Sequence, residues 1–369
     1  FTDIIITGLV RDKHGRKMSK SLGNGVDPLE LIDEYGADSL KFTMAFLAAQ
    51  GQDVLLDKES VKLGSRFANK IWNASRYLLM NLEGRTLQDR AAVALTDTDR
   101  WILHRLNAAV STARSALEGY RFNEASQAIY EFIWNDFCDW YIEAAKLSLN
   151  ADEAEKDRIV TLLLSLLEES LRLAHPFLPL ITEEIYQTLP QHGLRIMSQP
   201  YPSVDASREA PEAAARFGLL QEVVRAVRTI RAEFTVPPDA RVAVTVVPDA
   251  EARRTIEAGS TLVRHLAGIG TLAMAGGRPT GKGVIAAAGR GFEVFVELAG
   301  SIDAPKEIAR LGKDREKAQA EIGRTKEKLS KASFVERAPK EVVDREKEKL
   351  VDLDRLIQKI DGYVKALSA

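Results

Sequence analysis

Residues 15–28 read Gly-Arg-Lys-Met-Ser-Lys-Ser-Leu-Gly-Asn-Gly-Val-Asp-Pro. Two lysines, two serines and three glycines in one short run are too polar for a core and too small for a helix. The chemistry they offer is phosphate binding. Ammonium groups at Lys17 and Lys20, interleaved with the hydroxyls of Ser19 and Ser21, can hold a leaving pyrophosphate most tightly as charge builds on it in a transition state. A lysine- and serine-rich loop is also ordinary solvated surface, so the flanks must decide.

Upstream, Thr-Asp-Ile-Ile-Ile-Thr-Gly-Leu-Val (2–10) is a continuous apolar run, the pattern of a strand buried on both faces. Downstream, Asp27 reads as an N-cap, Pro28 as the first helical residue and Glu30 as the partner that closes a capping box. The lysines therefore sit on a strand-to-helix loop, where open parallel-sheet folds hold nucleotides. Gly36 is placed to end that first helix in the left-handed conformation, and a second is expected over about 38–49.

The composition narrows the class. A chain of 369 residues with 45% apolar residues can build two to four domains. A net charge of −2 gives no global nucleic-acid signature, so such a role must come from local patches. Cys138 is the only cysteine, which excludes an internal disulfide or a cysteine-rich zinc module and suits a reducing cytosol. His14, His104, His175, His192 and His265 show no metal-ligand spacing, and no metal site is expected. No apolar stretch approaches the length needed to span a bilayer, and no signal peptide is visible. Because the sequence begins within an apparent strand, it reads as a fragment whose N-terminal part is missing.

From about Lys58 to Leu189 the pattern is almost wholly helical, with breaks near Gly84, Gly119 and Asn150, and predicts a helix bundle. Within it Tyr130, Ile133, Trp134, Phe137 and Tyr141 form one wide apolar face. The aromatics Trp134, Phe137, Trp140 and Tyr141 are bundle core or a base-stacking platform, with Asn135 and Asp139 as polar neighbours. A helix over about 211–234 follows, then Pro237-Pro238 and a small α/β module with strands in Arg-Val-Ala-Val-Thr-Val-Val and Phe-Glu-Val-Phe-Val-Glu-Leu around a helical segment. Arg225, Arg228 and Arg231 lie three apart on that helix and suit either phosphates or solvent.

The last 69 residues predict two helices of about 25 residues, packed as an antiparallel coiled-coil hairpin around the breaker segment Ser-Phe-Val-Glu-Arg-Ala-Pro. The stronger seam runs through Val343, Leu350, Leu353, Ile357, Ile360, Val364 and Leu367, interrupted by Glu346. The weaker one is Ile308, Leu311, Ala318, Ile322 and Leu329, with Arg315 and Thr325 also at core-type positions. Residues 306–331 carry nine Lys/Arg against five Asp/Glu, while 340–365 carry seven against seven. The excess favours phosphate contact by the first helix, through Lys313, Lys317, Arg324 and Lys328.

Lys-Met-Ser-Lys-Ser after a buried strand, with Gly-Asn and an Asp-Pro helix start behind it, resembles the second signature loop of the class I aminoacyl-tRNA synthetases. The resemblance implies that Lys20 contacts the ATP phosphates, with Lys17, Met18, Ser19 and Ser21 completing the ATP site and Lys17 and Lys20 as the catalytic pair. Gly25 departs from the β-branched residue usual there and loosens the loop's exit. The segments 67–79, 99–106, 120–146 and 175–189 resemble the anticodon-binding bundle shared by the valine, isoleucine and leucine enzymes. The 47–57 stretch, and 334–350 followed by heptads, are similar to valyl-tRNA synthetases, whereas isoleucine enzymes commonly end in a zinc module that one cysteine cannot build.

The implied architecture is mainly α and multidomain. It comprises the tail of a Rossmann-type catalytic domain with the loop (1–58), an anticodon-binding bundle (59–205), a linking helix with a small α/β module (206–300) and a coiled-coil tRNA-binding arm (301–369). The implied activity is ATP-dependent attachment of valine to tRNA(Val), with Mg2+ accompanying ATP, in a cytoplasmic enzyme expected to be a monomer. Without a partner half supplying the amino-acid pocket, the segment alone is expected to be inactive. The alternatives are an isoleucyl-tRNA synthetase fragment and a non-catalytic tRNA-binding module.

Overall fold

The computed structural model describes residues 2–82, 84, 85, 87–190, 193–279, 281 and 283–368, the side chains of Lys20, Ala332 and Arg337 excepted; Phe1 and His192 lie outside this set. The chain divides into two compact units, residues 1–217 and 218–369.

In the first unit, strands β1 (Val10–Arg11) and β2 (Val54–Leu55) pair in parallel, with Val10 opposite Val54. The expected strand over 2–10 is confined to its last residues. Ile4 and Ile6 are 86% and 84% exposed, and Leu9 is exposed as well. A strand buried on both faces needs a neighbour on each side and helices above and below, and β2 is the one strand paired with β1 among the described residues.

Helix α1 (Pro28–Tyr35) starts as the sequence predicts, with Asp27 accepting from Leu29 N and Pro28 in the first turn. The expected capping box is absent. Glu30 instead lies 3.8 Å from Lys58, whose ammonium also reaches Glu34. Gly36 has φ 88° and ψ 151°, a positive-φ conformation open to glycine but outside the left-handed helical region expected of it. Helix α2 (Ala37–Leu47) follows and crosses α3 (Lys58–Leu82) at Gly64, where a Cβ would stand 2.2 Å from Ser39 O. Only glycine lets those backbones approach so closely.

The bundle continues through α4 (Asp97–Glu118), α5 (Phe122–Glu131), a π-helical segment (Phe132–Tyr141), α6 (Ile142–Leu149), α7 (Glu153–Ala174) and α8 (Pro179–Tyr186). Its core holds Phe42, Phe67, Ile71, Ile102, Leu106, Ile129, Phe137, Leu163 and Leu166. Asp99 organises one end. It closes a capping box with Thr96, and its buried carboxylate also accepts from Tyr141 OH (2.6 Å) and Arg158 Nη1 (2.8 Å). Asp38 of α2 accepts from Leu180 N (3.2 Å) and Ile181 N (2.7 Å), capping α8 from outside. The helices that follow the lysine loop are thereby tied to the bundle.

Helix α9 (Pro211–Glu233) contains the division between units. In the second unit a four-stranded sheet has the order β4-β3-β6-β5, built from β3 (Val242–Pro248), β4 (Ile269–Met274), β5 (Val284–Gly289) and β6 (Phe292–Glu297). β3 and β4 are parallel and joined through α10 (Ala250–Ala258) and α11 (Ser260–Ala267), while β6 is antiparallel to both β3 and β5. The sequence patterns located β3 and β6. They missed β4 and β5, whose alanines and glycines lack the β-branched alternation that marks a strand.

The unit ends in α12 (Ala304–Ser330), a short α13 (Ala332–Arg337) and α14 (Lys340–Ser368). The breaker segment expected as loop is thus largely helical, with Pro339 just before α14. α12 and α14 run antiparallel: Lys328 pairs with Glu346 (2.5 Å), Lys349 with Glu321 (2.5 Å) and Arg315 with Asp361 (2.6 Å). Between them lie buried Leu311, Ala318, Ile322 and Thr325 from α12, and Val343, Ile360 and Leu367 from α14. Arg315 is not in this seam. It lies half-exposed at the flank, because the long side chain reaches out to Asp361 rather than burying its charge. Glu346, the expected interruption, is accommodated by Lys328.

Candidate functional site

The lysine loop is pinned rather than loose. Pairing of β1 with β2 fixes its start, through Val54 N to Leu9 O and Leu56 N to Arg11 O, both 2.9 Å. Arg11 then bridges back to Lys17 across a tight turn that Asp12 closes. The buried Asp12 carboxylate accepts from His14 N (3.0 Å), Arg16 N (2.9 Å), Arg16 Nε (2.8 Å) and Asn24 Nδ2 (2.9 Å). These donors, the Asn24 amide first, hold its carboxyl well below the usual carboxylate range.

Met18, expected at the ATP site, packs against an apolar cluster of Leu31, Leu56 and Val61, together with Val26 and Tyr35. It anchors the loop, and the polar residues on either side of it are left to meet a ligand. Ser19 Oγ lies 3.1 Å from Ser21 Oγ and accepts from Leu22 N at 3.3 Å, stabilising the 3-10 turn Lys20–Leu22. Lys17 and Ser21 are exposed. The backbone of Lys20 begins this turn, and its side chain is outside the described set. Lys17, Ser19 and Ser21 are therefore brought together on one short rim. What sequence reasoning missed is the pairing of Asp12 with Asn24: Asn24 entered as part of the Gly-Asn signature with no role, and Asp12 showed only as a small polar residue before the lysine run.

The second group of expected contacts does not form one surface. Arg231 donates to the carbonyls of Ala240 (2.8 Å), Gly268 (3.1 Å) and Pro237 (3.0 Å), stapling the end of α9 to the sheet. Its guanidinium is committed to protein carbonyls, and burial lowers its pKa. Arg228 donates to Leu266 O (3.0 Å), and Arg225 is exposed.

On α12, Lys313 is exposed, and Lys317 and Arg324 are 80% and 77% exposed, the latter two each near an acid of their own helix (Asp314, 3.5 Å; Glu321, 3.4 Å). Lys328 differs: it bridges to α14 and lies 4.7 Å from the Phe334 ring centroid. In the bundle, Phe137, Trp140 and Tyr141 are buried, and Trp134 is half-buried and stacked on Tyr130 at 5.4 Å. These aromatics are core. Asp139 pairs with Lys70 at 2.5 Å.

A family model of class I tRNA synthetases (I, L, M and V) matches residues 1–57, and one of the anticodon-binding domain of tRNA ligases matches 99–246. The loop, the bundle and these matches define a class I aminoacyl-tRNA synthetase segment. A third model, the valyl tRNA synthetase tRNA binding arm, matches 303–367. The chain is 47% identical to a valine–tRNA ligase of Treponema pallidum over 99% of its length and 41% of that protein's. With the Thermotoga maritima valine–tRNA ligase the identity is 45%, covering 95% of this chain and 39% of that one, and with the Geobacter sulfurreducens protein it is 44%, covering 96% and 40%. The chain belongs to the valyl-tRNA synthetase family and corresponds to its C-terminal part. It spans about two fifths of the length of these relatives.

Proposed function

We propose that this segment serves a valine–tRNA ligase, in which a valine carboxylate oxygen attacks the α-phosphorus of ATP and pyrophosphate leaves. The valyl group of the adenylate then passes to a hydroxyl of the terminal ribose of tRNA(Val), releasing AMP. In this reading residues 1–58 supply the phosphate loop and 59–205 the anticodon-binding bundle. Residues 206–300 form the connection, and 301–369 are a coiled-coil arm on the tRNA. The reading makes the enzyme a cytoplasmic monomer.

The observation that supports it is the construction of the lysine loop. Met18 is held in an apolar cluster and Asn24 grips the backbone on both sides of it, so the backbone of the turn that bears Lys17, Ser19 and Ser21, and from which Lys20 extends, is held in one shape. Pre-set donors stabilise developing charge without reorganising at the moment of reaction. Mg2+ accompanies the ATP phosphates; among the described residues no three of His, Cys, Asp or Glu are grouped to hold a metal, and no residue of this segment is assigned to it. No helix among the described residues is long and apolar enough to cross a membrane.

The test is Lys20→Ala in a full-length valine–tRNA ligase carrying this segment. Valine-dependent ATP–pyrophosphate exchange should slow by about 10²-fold or more with little change in valine affinity. A rate within about threefold of the parent removes Lys20 from the catalytic set.

A further inference from the structure

Asn24 stands outside the lysine-serine rim, yet it touches every part of the loop's neck. Its Nδ2 donates to Asp12 Oδ2 (2.9 Å) and to Lys17 O (3.2 Å), and its Oδ1 accepts from Ser19 N (3.0 Å). One side chain thus grips the carbonyl before Met18 and the N–H after it, and ties both to the strand-side turn. Asp12 completes the clasp. Its own N–H donates to Arg16 O (3.0 Å), and its carboxylate takes the backbone N–H groups of His14 and Arg16.

The charge pattern is specific to this pairing. A carboxylate at 12 can only accept, so residue 24 must present a donor to it and an acceptor to Ser19, which is what an amide does and a carboxylate cannot. Neither residue meets solvent chemistry directly: Asp12 is buried and Asn24 half-buried.

We infer that Asp12 and Asn24 are positioning residues, a clasp that holds the Lys17–Ser21 rim in its phosphate-binding shape before ATP arrives. The inference rests on the function proposed above for that rim. It predicts that opening the clasp costs catalysis through the loop while leaving the rest of the fold untouched, because the bonds lost lie in one surface turn.

The experiment uses Asn24→Ala, Asp12→Asn and the swapped double Asp12→Asn/Asn24→Asp in a full-length valine–tRNA ligase carrying this segment. Three quantities are read: ATP–pyrophosphate exchange, the rate of tryptic cleavage at Arg16, Lys17 and Lys20, and the thermal midpoint. For Asn24→Ala we expect cleavage about tenfold faster and an exchange kcat about tenfold or more lower, as for loss of two or three hydrogen bonds. The valine KM and the thermal midpoint should hold. Asp12→Asn sets two amide donors against each other and should behave alike. The double restores one donor–acceptor pair and should lie above both singles.

Cleavage and exchange both within about threefold of the parent would overturn the clasp, as would losses that merely follow a falling thermal midpoint. If Asn24→Ala does not fold, Asp12→Asn and the double decide by the same criteria. Cleavage needs no activity, so a clasp that opens in a protein whose Lys20→Ala variant still exchanges normally would overturn the proposed function and leave the clasp standing.

Discussion

Three basic residues of α12 offer the sharpest quantitative test of the tRNA-binding reading. At about 100° of turn per residue, Lys313, Lys317 and Arg324 fall within about 40° of one another and roughly 140° away from the seam of Leu311, Ala318 and Ile322. They form a stripe about 16 Å long on the outer face. Lys328 is left out of the test because its pair with Glu346 holds the two helices together, and Lys349 of α14 is omitted for its pair with Glu321. The intrahelical partners of Lys317 and Arg324 are exposed ion pairs, worth only about 0.2–1 kcal/mol, so they yield readily to a phosphate. Each phosphate contact contributes roughly 0.7 to 0.9 to the slope of log affinity against log salt. Changing all three to Gln should therefore flatten the slope by about 2 to 2.7 and weaken tRNA binding about a hundredfold at about 0.15 M salt. The assay is a salt series of tRNA(Val) binding by filter retention or fluorescence anisotropy. The control is Lys340→Gln, Arg345→Gln and Lys347→Gln on α14, where Lys340 and Lys347 share one face and Arg345 lies about 140–160° away, so the three do not form one stripe. Equal losses from both triple variants, or an unchanged slope from the first, would refute the assignment of α12 as the tRNA-facing helix.

Two further outcomes follow from the ionisable groups of the interior. Asp99→Ala leaves the Tyr141 hydroxyl without its acceptor and takes one partner from Arg158, which keeps Glu155 and the Ala94 carbonyl, and should cost about 1–3 kcal/mol in urea unfolding; a loss below about 0.5 kcal/mol would show that the network contributes little. Burial, then the hydrogen bond to Glu233, pushes the Tyr363 phenol up to about 12; a raised pKa favours the neutral form, so its contribution is whole below the ordinary value of 10.0 and fades as pH climbs through about 12. Difference absorbance between the parent and Tyr363→Phe should therefore show one phenol ionising late, and a titration near 10 would sink the assignment.

Much of this was legible because local rules and tertiary structure agree where they meet. Asp27-Pro28 began a helix where such a pair must, and Leu311, Ala318, Ile322, Val343, Ile360 and Leu367 of the expected seam are buried, while Leu350, Leu353, Ile357 and Val364 of its stronger half are only half-buried, because two helices alone cover one side of each. Composition failed where the partner was remote. Ile4, Ile5 and Ile6 have the pattern of a buried strand, but burial is conferred by neighbours, and the described residues supply only β2. Arg231 looked like a phosphate ligand because its charge is visible in sequence and the carbonyls of Ala240 and Gly268 that claim it are not. The clasp was illegible for the same reason: Asp12 and Asn24 are small polar residues twelve positions apart, and only the folded turn makes them neighbours. The lysine loop itself could be located but not judged stiff, since its stiffness comes from Met18 in a cluster assembled from α1, α3 and residues beside β2.

The π-helical segment has a bearing on how the long helix from Phe122 to Leu149 keeps time with its neighbours. A π turn takes about 4.4 residues where an α turn takes 3.6, so each residue advances about 80° instead of 100°. Over the ten residues Phe132–Tyr141 the lag accumulates to about half a revolution. Had the helix stayed α throughout, Ile142, Ala145 and Leu149 would have emerged on the side opposite Ala125 and Ile129. With the lag they return to the same side, and all five are buried. The segment works as a phase shifter, joining two ordinary amphipathic helices into one rod whose dry edge is continuous although its sequence period is broken. At about 80° per residue Phe132, Phe137 and Tyr141 fall within about 40° of one another, with Ile133 about 40° further round, so the segment presents a buried face of its own while it shifts the phase.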